Sequence, residues 1–298
     1  MAAWVVYNPL ASDGTCRSTA ELLEVMLEDD EVRLFDITKI TNYAAFLSGM
    51  EPEDRLILAG GDGTLNRFVN DTQGLELPEN IFFFPCGTGN DFACDLGHRL
   101  HDDPFCVAQL LRPLPTVEVN GRRRCFVNAV GFGLDGYCCR RGDELRREGK
   151  AVNYTAIAAG GLLGRFRPVN ARVTVDGVSY SFRRVWIAPT MHGRYYGGGM
   201  MAAPAQDRQG NTLSLVVLHN TRRLPALCLF PGLFSGRHVQ HRQHVTVLTG
   251  REITVRFDRP APLQIDGETL LDVSVYTARA VQTTSQRQGT CKENKKLL

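Results

Sequence analysis

Four short apolar runs punctuate the first 110 residues: AWVVY, VRLFDIT, RLILA and IFFFP. Helical patterns separate them. Leu22, Leu23, Met26 and Leu27 are spaced to share one helical face, and NYAAFLSGM and TLNRFVNDTQ read as two further helices. The third run is apolar after its first residue, as a strand buried on both faces should be. Strand and helix in alternation leave little choice but a parallel sheet with helices on its faces.

The loops at the strand ends narrow the function. Three of them are turn-rich: Asn8-Pro9 through Gly14, Gly60-Gly61-Asp62-Gly63-Thr64, and Gly87-Thr88-Gly89-Asn90-Asp91. Ligands of open parallel sheets bind beyond the carboxyl ends of the strands. Glycine admits close backbone approach and positive φ, and successive N–H groups beside a helix start attract anions. The pattern fits a polyphosphate cradle. It is neither GxxxxGK[ST] nor a correctly framed GxGxxG. A carboxylate among phosphate-binding glycines would repel the ligand unless a Mg²⁺ accompanied it, which marks Asp62.

The rhythm changes near Pro113-Leu114-Pro115. Hairpins are expected at Asn120-Gly121 and Asp176-Gly177, with further strands to about residue 275 and helical interruptions near 137–164 and 222–234. The expected organisation is an α/β nucleotide-binding domain over 1–116, a mainly antiparallel β domain over 117–275 and a return segment with a frayed tail over 276–298. The two domains are expected to share a cleft.

Composition excludes several classes. The chain has 298 residues and a net charge of +2, so nothing points to nucleic acid. No apolar stretch approaches the ~18 residues of a membrane span. The opening residues read as a strand rather than a secretory signal. Nine cysteines without a CxxC read as reduced cytosolic thiols. His192, His238, His241 and His244 match no zinc motif and read as surface or hydrogen-bonding residues.

GGDGTLNRFVN followed by PCGTGNDFA resembles the lipid kinase family of diacylglycerol and sphingosine kinases, in its compact bacterial form. NPLASDG near the start, NAVGFGLDG at 128–136, YYGGGMMAAPA at 195–205 and LQIDGE at 263–268 extend the resemblance over most of the chain. It implies a Rossmann-like, NAD-kinase-like N-terminal domain, a C-terminal β-sandwich, and transfer of the γ-phosphoryl group of ATP, with Mg²⁺, to a lipid hydroxyl such as that of diacylglycerol. It further implies nucleotide contacts at Asn8, Pro9, Gly14, Thr38, Gly60, Gly61, Asp62, Gly63, Thr64, Asn66, Gly87, Thr88 and Asn90. Asp91 and Asp135 would lie near the acceptor, and Glu268 would be the general base. The role of Glu268 also agrees with chemistry, because a lipid hydroxyl gains from a carboxylate acceptor as it attacks phosphorus.

Two departures stand out. Ser12 occupies a position where the family carries glycine. Where bacterial members hold a structural magnesium on an acidic pair, this chain reads Asp207-Arg208-Gln209-Gly210. The expectation is a metal site at Asp207 that is weak or lost, with Arg208 supplying the positive charge as the competing idea. A lipid kinase must also reach a bilayer. Clusters at Arg122–Arg124, Arg140-Arg141, Arg146-Arg147, Arg183-Arg184 and Arg222-Arg223, with the apolar PALCLFPGLFSG, suit peripheral contact with the inner face of the membrane. A homodimer is compatible with all of this. Two alternatives stay open: an NAD-kinase-like phosphotransferase, since GGDGT is shared, and a non-catalytic nucleotide- or lipid-binding module.

Overall fold

The computed structural model describes residues 1–9, 16–27 and 30–281. Gly14, the Ser12 position and the tail from 282 onward lie outside the described residues. The chain divides into two compact units, the first ending at Pro113 and the second beginning at Leu114.

The first unit alternates as the sequence requires. Its elements are β1 (Ala2–Tyr7), α1 (Cys16–Met26), β2 (Glu31–Asp36), α2 (Tyr43–Ser48), β3 (Arg55–Gly60), α3 (Asp62–Asp71), β4 (Ile81–Pro85), α4 (Asp91–Asp95) and β5 (Phe105–Cys106). The sheet order is β2-β1-β3-β4-β5; the first four strands are parallel and β5 runs antiparallel. Central β1 is buried along its whole length, hence its unbroken apolar character. Asn42 starts α2 by accepting the Ala45 N–H at 3.0 Å.

Helix α1 departs from the expected face. Leu23 and Leu27 are buried, but Leu22 and Met26 are exposed. The inward stripe runs Cys16, Ala20, Leu23, Leu27, at helical spacing. Its first two members are small, so the larger leucines outlined the wrong face. The Cys16 thiol lies 3.0 Å from that of Cys86, against the Ala59 carbonyl, which ties the start of α1 to the ends of β3 and β4. Among the described residues the reduced-thiol expectation meets one exception, Cys106, which is disulfide-bonded.

The second unit is antiparallel. It contains β6 (Thr116–Val119), β7 (Arg122–Cys125), β8 (Ala129–Gly133), α5 (Leu134–Arg147), α6 (Tyr154–Gly160), β9 (Val169–Val175), β10 (Val178–Val185), β11 (Ile187–Met191), β12 (Leu213–Leu218), α7 (Arg223–Leu229), β13 (Val245–Gly250), β14 (Glu252–Ile265) and β15 (Glu268–Arg279). The main path is β13-β12-β11-β8-β14-β15-β6-β7. Long β14 shifts register after Arg256; its first half pairs with β9 and its last residues pair with β8. One apolar core, with Phe132, Val173, Leu215, Val255 and Tyr276, gathers side chains from both arms. Three hairpins turn on an Asn-Gly or Asp-Gly pair with both residues at positive φ: Asn120-Gly121, Asp176-Gly177 and Asp266-Gly267. The last strand runs to Arg279, past the boundary expected at 275.

Candidate functional site

In the first unit, the two glycine loops lie against each other. A Cβ on Gly60 would sit 2.1 Å from Thr64 Oγ1, one on Gly61 2.7 Å from the Gly89 carbonyl, and one on Gly87 2.3 Å from the Gly61 Cα. None of Gly60, Gly61, Gly63, Gly87 or Gly89 has a left-handed φ. The expectation of positive φ therefore fails here. These glycines are present for close approach, and for Gly60, Gly61 and Gly87 the neighbour is the protein itself. Gly63 differs, because a Cβ there would meet nothing within 4 Å. The backbone open to a ligand is that of Gly63.

Asp62 explains much of this geometry. Its Oδ2 accepts the Asp91 N–H and its Oδ1 the Phe92 N–H, both at 2.9 Å, while its own N–H donates to the Gly89 carbonyl. The carboxylate caps α4 from a different loop, a role that Asn90 leaves to it, since Asn90 makes no side-chain cap bond. The helix start offers a partial positive charge, so Asp62 is stabilised there without a metal. Asn90 donates from Nδ2 to the Gly87 carbonyl at 2.6 Å. Its Oδ1 and the Thr64 Oγ1 are buried with no hydrogen-bond partner. Two orphaned polar atoms in one loop pair need an explanation, and a bound polar ligand is one.

The remaining expected nucleotide contacts are more scattered. Asn8 and Pro9 lie just beyond β1. Asn66 is buried in α3, where the Asn70 amide bonds its carbonyl at 2.9 Å. Thr38 is exposed, and its N–H and Oγ1 both donate to Asp36. A concavity of about 490 Å³ opens beside the ends of β1 and β2, lined by Tyr7, Phe35, Asp36, Lys39, Asn42 and Phe46. Thr38 does not line it. Asp36 and Lys39, which sequence reasoning passed over, do; an acid closing the second strand was the available signal.

In the second unit, Asp266 is a structural carboxylate. It accepts the N–H groups of Val127, Asn128 and Ala129, pinning the chain that enters β8 to the β14–β15 turn. Glu268 opens β15 just beyond this turn. Its side chain is 49% exposed, and Oε2 accepts from Arg124 Nη2 at 2.6 Å. Arg124 thus serves the candidate base rather than a basic patch. Arg140, Arg141 and Arg146 also pair within α5, with Glu144 and Asp143.

Asp135 sits in the first turn of α5. Oδ1 accepts the Gly136 N–H at 2.9 Å, and Oδ2 is buried without a hydrogen-bond partner. Burial pushes this carboxyl up to about 7, although the Gly136 N–H and the nearby Gln264 pull it down in part. Gln264 has its Oε1 held by the Gly267 N–H at 3.0 Å, and its buried Nε2 makes no hydrogen bond. Gly131, paired with Gln264 across the sheet, has no room for a Cβ, which would lie 2.9 Å from Asp135 Oδ2. Nothing in the sequence outside the resemblance flagged Gln264.

Asp207 does not build a metal site. It is exposed and accepts the Gln209 N–H. Arg208 is buried, donating from Nη1 to the Val127 carbonyl at 2.6 Å and from Nη2 to Asn128 Oδ1 at 2.7 Å. A cation in that neighbourhood would face a guanidinium, so the residues do not fit a second metal. No group of three or more His, Cys, Asp or Glu suited to a metal occurs among the described residues. At Asp62 the fit is better, because Mg²⁺ bound with a nucleotide takes most of its oxygens from phosphates and water and needs one or two carboxylates.

Comparison with known proteins identifies both units. Residues 2–117 match the diacylglycerol kinase catalytic domain, and residues 128–283 match the YegS C-terminal NAD kinase beta sandwich-like domain. The chain is 28% identical over 216 residues to a diacylglycerol kinase of Mycobacterium tuberculosis (strain ATCC 25618 / H37Rv), covering 70% of this chain and 67% of that one. It is 24% identical to a diacylglycerol kinase of Bacillus subtilis (strain 168) over 89% of both chains. The fold resembles a crystal structure of a diacylglycerol kinase from Bacillus anthracis str. Sterne, with a TM-score of 0.58, 17% identity and 94% of both chains covered. A second Bacillus anthracis structure gives 0.67, at 20% identity over 94% of this chain and 92% of that one.

Proposed function

Because this chain belongs to the diacylglycerol/lipid kinase family, we propose that it transfers the γ-phosphoryl group of ATP to the hydroxyl of diacylglycerol or a related long-chain lipid alcohol. The loop pair of the first unit carries the reading: an open Gly63 backbone beside the orphaned Thr64 Oγ1 and Asn90 Oδ1 suits a phosphate chain. The Gly63 N–H and the Thr64 hydroxyl bind phosphate oxygens, while the Thr64 N–H stays with the Gly61 carbonyl. Asn90 positions the neighbouring loop through Gly87. Asp62 holds that loop in place through its cap of α4 and would be the carboxylate that holds a Mg²⁺ arriving with the nucleotide. Bound with the nucleotide, that ion neutralises charge on the phosphates.

The acceptor's proton goes to Glu268. The exposed carboxylate exchanges Arg124 for the hydroxyl, at little cost for an ion pair of this exposure. Asp135, whose burial brings its titration to about 7, donates a hydrogen bond toward the acceptor head when protonated and accepts one when ionised. No helix among the described residues is long and apolar enough to cross a membrane. The protein is proposed to work in the cytoplasm and to meet its acceptor at the membrane's inner face.

The test is phosphate transfer from γ-labelled ATP with Mg²⁺ to diacylglycerol, monoacylglycerol, ceramide, sphingosine and an undecaprenol in mixed micelles, with NAD as soluble control. Label in a lipid supports the reading and names the acceptor. Label in NAD alone transfers the shared GGDGT loop to the other reaction.

A further inference from the structure

The second unit has an outer face that its own core does not use. Leu162, Ala226, Leu229 and Leu233 pack inward with Trp186 and Tyr137. Their neighbours turn outward. Leu163 is 67% exposed, Leu224 72% and Phe234 43%. The stretch containing α7 continues as a 3₁₀ turn at Phe230–Leu233, so Leu224, Pro225, Cys228, Pro231 and Phe234 are its exposed residues without a charge among them. Arg223 joins the two stretches by donating to the Leu162 carbonyl at 3.1 Å. Leu163 and Leu224, the next residue along each stretch, therefore stand beside this tie.

The two chain segments that carry these residues hold charge of one sign. Residues 149–175 and 208–251 contain no Asp or Glu. They carry Arg165, Arg167, Arg222, Arg237 and Arg242, all exposed and none in an ion pair among the described residues. Elsewhere in the unit Arg140, Arg141 and Arg146 pair with Glu144 and Asp143, and Arg124 pairs with Glu268. Single exposed leucines are ordinary, but an uncharged helical face with unpaired arginines and no carboxylate is what an anionic bilayer binds.

We propose that this face docks on anionic lipid, with Leu163, Leu224 and Phe234 entering the interface and Arg165, Arg222 and Arg237 meeting the headgroups. The proposal deepens the lipid-kinase reading by naming the surface through which the acceptor is reached.

Sedimentation with vesicles tests it without nucleotide, Mg²⁺ or acceptor hydroxyl. The probes are phosphatidylcholine mixed with phosphatidylserine, and phosphatidylcholine alone. The wild-type chain should bind the mixed vesicles, weaken with salt and bind neutral vesicles poorly. Leu224→Glu with Phe234→Glu should lower partitioning at least ~10-fold, and Leu163→Glu should lower it in the same direction. Unchanged circular dichroism and melting of the variants exclude misfolding, and Arg165→Gln with Arg222→Gln gives a second, charge-only variant. Variants that bind as well as the wild type would overturn the proposal. So would a wild-type chain indifferent to phosphatidylserine, or a dimer that the glutamates split while vesicle binding persists. Since no phosphoryl transfer is measured, a wrong acceptor leaves this result standing, and a right acceptor cannot rescue it.

Discussion

Arg124 of β7 and Glu268, the first residue of β15, pair at 2.6 Å, and the carboxylate is half exposed. An arginine that a sequence reader counts toward a basic surface is instead the partner of the proposed base. Exposed pairs contribute roughly 0–1 kcal/mol. Arg124→Ala should therefore melt within a few degrees of the wild type and keep its turnover. Glu268→Gln should fold as well and lose on the order of 10²–10⁴ in kcat. Melting curves and single-turnover transfer on the two variants decide it; a fully active Glu268→Gln removes the residue from the mechanism.

The glycine loops yield opposite predictions at two positions. Gly87→Ala places a methyl group 2.3 Å from the Gly61 Cα, where both partners are backbone, so the loops must part and stability should fall by several kcal/mol. Gly63→Ala meets nothing and should leave melting unchanged, yet weaken nucleotide binding if phosphate passes there. Calorimetric titration with ATP separates the two. Equal affinity in Gly63→Ala would mean that this loop packs against its neighbour and holds no ligand.

That contrast shows what was legible in the sequence. Strand and helix order, the hairpins at Asn120-Gly121 and Asp176-Gly177 and the change of architecture after Pro113 come from periodicity and turn chemistry, which are local. Which glycine serves a ligand and which serves another loop depends on a contact between residues 61 and 87, and no local pattern encodes it. Asp62 shows the same limit. Its carboxylate seemed to demand a cation, but the structure gives it two backbone N–H groups at the start of α4. Asp62→Ala should accordingly cost stability as well as activity, by about 0.5–2 kcal/mol for the lost cap.

Asp135 should give the protein a pH signature. Its carboxyl titrates near 7 in the folded chain against 3.8 as the ordinary value, because burial disfavours the charge. A raised acid contributes its full stability below the unfolded value. That contribution is lost as pH rises between about 4 and about 7, where the unfolded chain has released the proton and the folded chain still holds it. Asp135→Asn removes the titration, so the variant should gain on the wild type as pH rises, by on the order of 1–3 kcal/mol at pH 8. Denaturant midpoints from pH 4 to 8 measure it; parallel curves would mean that the carboxyl titrates normally.

Arg208 should make the second unit indifferent to divalent ions. The guanidinium is buried, and it satisfies the Val127 carbonyl and Asn128 Oδ1 on the same three-residue segment whose N–H groups are taken by Asp266. One segment is thus held from its acceptor side by a cation and from its donor side by an anion, and the turn it anchors carries Glu268. A covalently attached charge needs no metal in solution, so EDTA, Mg²⁺ and Ca²⁺ should leave wild-type melting in the absence of nucleotide unchanged. Arg208→Met keeps the bulk but strands two buried acceptors, and should cost about 2–4 kcal/mol. Its kcat should fall with the loosened turn, and Arg208→Lys should recover part of both losses, because one ammonium reaches fewer acceptors than a fork. A wild-type melting temperature that drops in EDTA would show that a metal still holds this corner, and the guanidinium would lose the role assigned to it.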